Sequence, residues 1–90
     1  MTHLSKNKTK LTARVRRLIG QLEAVERALA ADAPCGEVLN QVASVRGAIS
    51  GLTAELIEAH LREHVLHAES DEARRDGAEE LMDAVRTYLR

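Results

Sequence analysis

The sequence has few of the residues that build a large core or a covalent scaffold. It contains no Phe, no Trp and a single aromatic residue, Tyr88. We therefore expect one small domain, residues 1–90, with too modest a core for a deep catalytic pocket, and no enzymatic activity. The single cysteine excludes a framework of intrachain disulfides. Without an apolar run of transmembrane length or an N-terminal signal, the sequence predicts a cytoplasmic protein with a reduced thiol and no membrane partner.

The charges are divided unevenly along the chain. The first 20 residues carry six of the 13 basic residues and no acidic residue, whereas residues 21–90 carry the other seven and all 14 acidic residues. A segment of +6 therefore precedes a segment of −7, although the net charge is only −1. This imbalance favours contact with DNA phosphates over the alternative of a solvated basic face. The candidate phosphate-binding residues are Lys10, Arg14 and Arg17 on one helical stripe, with Arg16, Lys6 and Lys8 beside it.

Apolar residues recur at alternating steps of four and three in two segments, which is typical of amphipathic helices packed along a seam. The first seam is Leu11, Val15, Leu18, Leu22, Val25 and Leu29. The second seam is Val38, Val42, Val45, Ile49, Leu52 and Leu56. We expect a break at residues 32–36, with Asp32 capping the second helix and Pro34 in its first turn. The second helix is expected to continue to about His67.

A polar stretch, residues 69–77, then precedes a short C-terminal helix that contains Leu81, Val85 and Leu89. No strand pattern occurs, so the prediction is an all-α protomer with a long antiparallel hairpin and a short third helix. One hairpin cannot enclose its own two seams. We therefore expect an antiparallel four-helix bundle formed by two chains, with two such dimers making a tetramer.

The histidines and the cysteine indicate a metal site. His60 and His64 are one helical turn apart and can direct ring nitrogens at one ion, with Glu63 and His67 as candidates to support them. Cys35 lies near the start of the second helix, where the helix dipole favours the metal-binding thiolate. The alternatives are histidines that are satisfied at an interface and a cysteine that is an inert small hydrophobe.

Helix length decides how these residues can meet. Cys35 and His60 are 25 residues apart, which is about 38 Å along one helix, so they cannot bind one ion within a single chain. In an antiparallel dimer, Cys35 of one chain meets His60 and His64 of the other, and the hairpin brings His3 beside residues 60–64. We therefore expect His3, His60 and His64 from one chain and Cys35 from a second.

Several motifs resemble the CsoR/RcnR/FrmR family of bacterial transcriptional repressors. They are Lys10-Leu11, Arg14, Arg17, Gly20-Gln21, Cys35, the run Gln41–Ala48, Gly51-Leu52 and His60-Leu61-x-Glu63-His64. The resemblance covers residues 3–90. It implies an all-helical tetramer without a helix-turn-helix. It also implies an effector-free form that binds operator DNA upstream of an efflux or detoxification gene and is released when the effector binds.

The resemblance also bears on the effector. Copper(I) sensors of the family have Cys where this chain has His64, and formaldehyde sensors typically have Pro at position 2 and no His at 64. Nickel and cobalt sensors resemble this chain at His3, Cys35, His60 and His64, so Ni(II) or Co(II) is expected, with Zn(II) also compatible with these ligands. Same-fold formaldehyde sensing through Cys35 and an N-terminal amine stays open. A metal carrier without a DNA role and a purely structural helical adaptor are the rivals from other classes.

Overall fold

The computed structural model describes residues 7–89, which form three α-helices and no strand. Helix α1 spans Lys8–Ala30, α2 spans Cys35–Leu61 and α3 spans Asp71–Tyr88. A π-helical turn, Arg62–Leu66, continues α2 without a break. The all-α prediction with three helices is confirmed. The described chain divides into two compact units, Asn7–Thr53 and residues 54–89.

The turn between α1 and α2 is closed by backbone hydrogen bonds that end α1. The N–H of Ala33 donates to the carbonyl of Ala28, and the N–H of Asp32 donates to that of Leu29. Asp32 has a φ of 54°, the left-handed conformation that this type of helix ending requires. The predicted role of Asp32 as the cap of α2 is therefore wrong, because the residue terminates α1 instead.

Helix α2 begins at Cys35, and Pro34 stands one residue before it rather than in its first turn. The carbonyl of Pro34 accepts from the N–H groups of Glu37 and Val38, so it starts the hydrogen-bond ladder of α2. A proline fits there because it has no N–H to leave unpaired. Cys35 is thus the first helical residue, in the first turn as expected.

Within Asn7–Thr53, α1 and α2 run as antiparallel neighbours. The guanidinium of Arg14 lies against Gly51. Nearer the turn, Gln21 of α1 and Ser44 of α2 line one depression. The side chains buried in this unit are Leu11 and Leu18 from α1 and Val45 from α2, all on the predicted seams. The buried residues of α1 and α2 in this unit therefore belong to the seams that the sequence periodicity predicted.

A single chain covers only part of these seams. Leu22 is 52% exposed, Val42 is 49% exposed and Ile49 is 45% exposed. Exposed seam residues alternate along α1 and α2 with the buried ones, so the uncovered apolar surface is continuous with the core. This agrees with the argument that one hairpin cannot enclose its own apolar residues. None of the helices in residues 7–89 is both long and apolar enough to cross a membrane.

Helix α3 begins earlier than the polar stretch suggested. Its 18 residues start at Asp71, so most of the stretch is helical. The hydroxyl of Ser70 accepts from the N–H of Ala73 and caps the helix. Asp71 and Glu72 lie in the first turn, where negative charge stabilises the helix dipole. The start of α3 is therefore set by the Ser70 cap, although the residues that follow it are polar. As a result, Gly77 lies inside the helix.

Candidate metal centre and DNA-contacting surface

The two predicted imidazole ligands lie side by side where α2 passes into the π turn. His60 is the second-last residue of α2 and His64 belongs to the π turn. Their ring centroids are 4.8 Å apart with an interplanar angle of 40°, and both side chains are half-buried. Since a histidine nitrogen binds a metal ion at about 2.0–2.1 Å, two rings at this separation can serve one ion.

Helix α3 packs directly against this pair. The Nε2 of His60 and the carbonyl oxygen of Gly77 are 2.8 Å apart, which is a hydrogen bond from the ring to the helix backbone. Arg74 Nε donates to the carbonyl of Val65 at 3.0 Å. The described part of the chain therefore holds the predicted ligands in a local structure made of the end of α2, the π turn and α3.

The two predicted supporting residues have different surroundings. Glu63 is half-buried in the π turn, whereas His67 is exposed at its end. The backbone N–H of His67 donates to the carbonyl of Arg62 and closes the turn. Glu63 is therefore better placed than His67 to contact a ligand of the site.

Cys35 and His60 lie at opposite ends of α2, as the first and second-last of its 27 residues. Cys35 is exposed and forms no disulfide. No group of three or more His, Cys, Asp or Glu within residues 7–89 is close enough to hold a metal ion. A complete ligand set must therefore draw on a second chain or on residues outside that range, where His3 lies.

Most of the predicted DNA-contacting residues lie exposed on α1. Lys8, Lys10, Arg16 and Arg17 are all on its surface. Lys8 and Arg16 border a shallow depression together with Thr9, Thr12 and Ala13. The first turn of α1 contains no acidic residue, so its basic side chains oppose the helix dipole and weaken the helix locally. The predicted residue Lys6 lies outside the described residues.

Arg14 differs from its basic neighbours. It is half-buried, and a β-carbon added at Gly51 would come within 2.8 Å of its Nη1. The guanidinium therefore lies along the backbone of α2 rather than out on the face of α1. Neither this contact nor the one between His60 and Gly77 was predicted from the sequence. A glycine inside a helical pattern was the available signal, because it permits a close approach of this kind.

The described chain matches a protein family over nearly all of its length. A profile described as "Metal-sensitive transcriptional repressor" matches residues 7–87. The chain belongs to this family of metal-sensitive transcriptional repressors. The family consists of repressors and not of enzymes, as expected, and membership implies DNA binding and oligomerisation.

Individual proteins from several bacteria resemble the chain over most of its length. The transcriptional repressor RcnR of Citrobacter koseri is 36% identical over 90 residues, covering all of both chains. RcnR of Salmonella paratyphi B is 45% identical over 76 residues, covering 84% of this chain and 83% of that one. A protein of Serratia marcescens described as "Uncharacterized protein in bioA 5′region" is 45% identical over 91 residues, at full coverage of both. The expected relationship to RcnR-like repressors is confirmed.

A solved structure shows the same fold. It is a variant, with a glutamate-to-histidine substitution, of the formaldehyde-responsive regulator FrmR from Salmonella enterica serovar Typhimurium. That structure has a TM-score of 0.86 and 40% identity, and the match covers 92% of this chain and 94% of that one. A formaldehyde-responsive regulator thus shares its fold with this chain of the metal-sensitive repressor family, so the effector must be argued from the chain's own side chains.

Proposed function

We propose that this protein is a repressor that binds operator DNA in its metal-free form and leaves it on binding Ni(II) or Co(II), which derepresses an efflux gene. The observation that carries the proposal is the pair of adjacent imidazoles, His60 and His64, with ring centroids 4.8 Å apart. Residues 1–90 would act as one metal-sensing, DNA-binding domain in the cytoplasm, where operator DNA is found.

The proposed ligands are His3, His60 and His64 of one chain and Cys35 of a second chain. Three imidazoles and one thiolate form a borderline ligand set, which suits Ni(II) and Co(II) and also accepts Zn(II). Copper(I) prefers more sulfur than this set supplies. Cys35 fits the role because it is exposed at the start of α2, where the dipole favours the thiolate. Glu63 is proposed as an outer contact, with His67 and the N-terminal amine as further candidates.

Two features of the hairpin support a second chain as the source of Cys35. The first is the uncovered half of the seams, described above. The second is polar: the side-chain oxygens Oε1 of Gln21 and Gln41 are inaccessible to solvent yet have no hydrogen-bond partner within the described residues. Burying such a group without a donor costs roughly 1–3 kcal/mol. A facing chain in an antiparallel four-helix bundle would cover the seams and supply donors, and two such dimers would make the proposed tetramer.

The exposed basic residues of α1 are proposed to contact DNA phosphates. They lie on a helix that begins only a few residues after His3. A metal ion that binds His3 together with His60 and His64 would restrain the segment leading into α1. The basic side chains would then fit the DNA backbone less well, which gives negative coupling between metal and DNA. Couplings of this kind are typically about 1–3 kcal/mol, or roughly 5–150-fold in DNA affinity.

A second candidate function is a formaldehyde-responsive repressor of the same fold. It is favoured by the similarity to a structure of a formaldehyde-responsive regulator and by the exposed thiol of Cys35. There the Cys35 thiolate would attack the aldehyde carbon, and an N-terminal amine would condense with the adduct, releasing water and leaving a methylene bridge. His64 has no part in that chemistry, which separates the two functions experimentally.

The test is a DNA-release titration on a duplex selected from a random-sequence pool by the metal-free protein. Ni(II), Co(II), Zn(II), Cu(I) and formaldehyde are titrated separately against the labelled complex. We expect Ni(II) or Co(II) to release DNA from the native protein but not from Cys35→Ser or His64→Leu, while a control variant at an exposed residue of α3, Glu79→Gln, responds normally.

Each rival predicts a different result in this titration. Release by formaldehyde that survives in His64→Leu and is lost in Cys35→Ser would establish the aldehyde sensor instead. Metal uptake without retention of any selected DNA would identify a metal carrier. If the protein neither binds metal nor retains any selected DNA, the structural adaptor is the function that remains.

A further inference from the structure

We infer that the backbone carbonyl of Gly77 is the positioning partner of His60 and that it directs Nδ1, not Nε2, of this histidine toward the metal ion. The inference rests on the proposed metal site and adds to it a residue of α3 that is not a ligand. Gly77 lies in the middle of the helix that packs on the π turn, and it is the one buried residue of α3 within the described chain.

The hydrogen bond determines the tautomer of the ring. A carbonyl oxygen can only accept, so the Nε2 that lies 2.8 Å from the Gly77 oxygen must carry the proton. A neutral imidazole has one ring proton, which leaves the lone pair on Nδ1. Metal-binding histidines usually donate their other N–H to a carboxylate or a backbone carbonyl, which fixes the ring orientation and makes the ligand nitrogen more basic. The Gly77 carbonyl supplies this contact for His60.

Only glycine permits this contact. A β-carbon at position 77 would lie 2.8 Å from the β-carbon of His64 and 2.9 Å from its carbonyl carbon, and would also collide with the carbonyl oxygen. These atoms are backbone or directly attached to it, so no side-chain rotation can relieve the clash. Glycine inside a helix costs about 1 kcal/mol relative to alanine, and here it lets α3 approach the π turn closely enough to reach His60.

The rest of α3 holds the carbonyl in place. Arg74 Nε donates to the Val65 carbonyl at the end of the π turn, and its Nη1 pairs with Asp71 at 2.7 Å. The hydrogen bond from Arg74 to Val65 therefore holds α3 on the π turn together with the one between His60 and Gly77. Because a metal-bound imidazole is a stronger N–H donor, metal binding at Nδ1 and docking of α3 reinforce each other.

The direct test is ¹⁵N NMR of the histidine rings, with Zn(II) as the diamagnetic probe. In the metal-free protein, His60 is expected to show a protonated Nε2 and an unprotonated Nδ1. Saturating Zn(II) is expected to shift the Nδ1 resonance while the Nε2 proton persists. A protonated Nδ1 in the metal-free protein, or loss of the Nε2 proton when Zn(II) binds, would overturn the inference.

The variant test uses Gly77→Ala, with Gly20→Ala as the matched control. Both are glycine-to-alanine changes inside a helix, but an added β-carbon at Gly20 has nothing within 4 Å. We expect Gly77→Ala to weaken Zn(II) binding by about 10–100-fold and to lose the fixed Nε2–H tautomer, while Gly20→Ala changes neither.

Arg74→Ala provides a second variant in case Gly77→Ala fails to fold. It keeps His60 and Gly77 but removes the donor to the Val65 carbonyl, so α3 should dock less firmly and Zn(II) affinity should fall several-fold. Native affinity in both α3 variants would overturn the inference. A native protein that binds none of Ni(II), Co(II) and Zn(II) would instead refute the proposed metal-responsive function, and the tautomer measured without metal would still show whether Gly77 orients His60.

Discussion

The dependence of DNA affinity on salt is the sharpest test of the basic face of α1. Four side chains of α1 in the described chain are both basic and exposed at its N-terminal half: Lys8, Lys10, Arg16 and Arg17. Each dimer of the proposed tetramer would present eight of them. Since log K falls with log salt at about 0.9 per phosphate contact, the slope should reach about −7 if all eight bind phosphates.

Arg16→Ala removes one such contact from each chain of the dimer. The slope of log K against log salt should therefore become shallower by about 1.8. Between 50 and 200 mM salt, the factor by which DNA affinity falls should then be roughly 12 times smaller for the variant than for the native protein. Arg14→Ala should change the slope by less, because the Arg14 guanidinium is half-buried against Gly51. Arg27→Ala, at the far end of the same helix, is the control for losing an exposed arginine as such.

The assay is fluorescence anisotropy of a labelled duplex at five or more salt concentrations, with metal removed by a chelator. An unchanged slope in Arg16→Ala would show that the exposed face of α1 does not contact phosphates. An equal change in Arg14→Ala and Arg16→Ala would refute the distinction drawn from the packing of Arg14.

Three further predictions follow from the packing. Leu18→Ala should lower the free energy of unfolding in urea by about 2–5 kcal/mol, because Leu18 is a buried seam residue, and an effect below 1 kcal/mol would contradict its place in the core. Ile49→Glu should shift sedimentation toward monomers while the exposed Ser50→Glu does not; an unchanged oligomer would show that a second chain does not cover this seam. Ser70→Ala should cost about 1 kcal/mol and speed amide exchange of Ala73, and unchanged exchange would exclude the cap.

The pairing of His60 with Gly77 gives α3 a role that its sequence did not suggest. The helix buries little apolar surface and carries several exposed apolar residues, including Met82 and Tyr88. Two hydrogen bonds join it to the end of α2 and to the π turn, and each has a backbone carbonyl as the acceptor: the His60 ring donates to Gly77, and Arg74 donates to Val65. Such contacts depend on the positions of main-chain atoms, and α3 therefore acts as a support for the imidazole pair.

Periodicity and charge were sufficient to predict the helices and to place the basic face. The steps of four and three along α1 and α2 follow from helix geometry, so Leu11, Leu18 and Val45 could be assigned to the seams without coordinates. The spacing of His60 and His64 likewise predicted that their rings would be neighbours. Their separation from Cys35 along one helix also predicts that a metal site shared by these three residues would need a second chain, since it depends only on the rise per residue.

Contacts made by the backbone at positions distant in sequence could be found only in the folded chain. The approach of Gly77 to His64, the bond from His60 to the Gly77 carbonyl and the burial of Arg14 against Gly51 all depend on distances between separate helical segments. Residue type does not encode these distances, because glycine permits a close approach without specifying which atoms make it. Local sequence patterns predict which helix contains a residue and which face of that helix it occupies. The atom that the residue contacts on another helix depends on how the two helices pack.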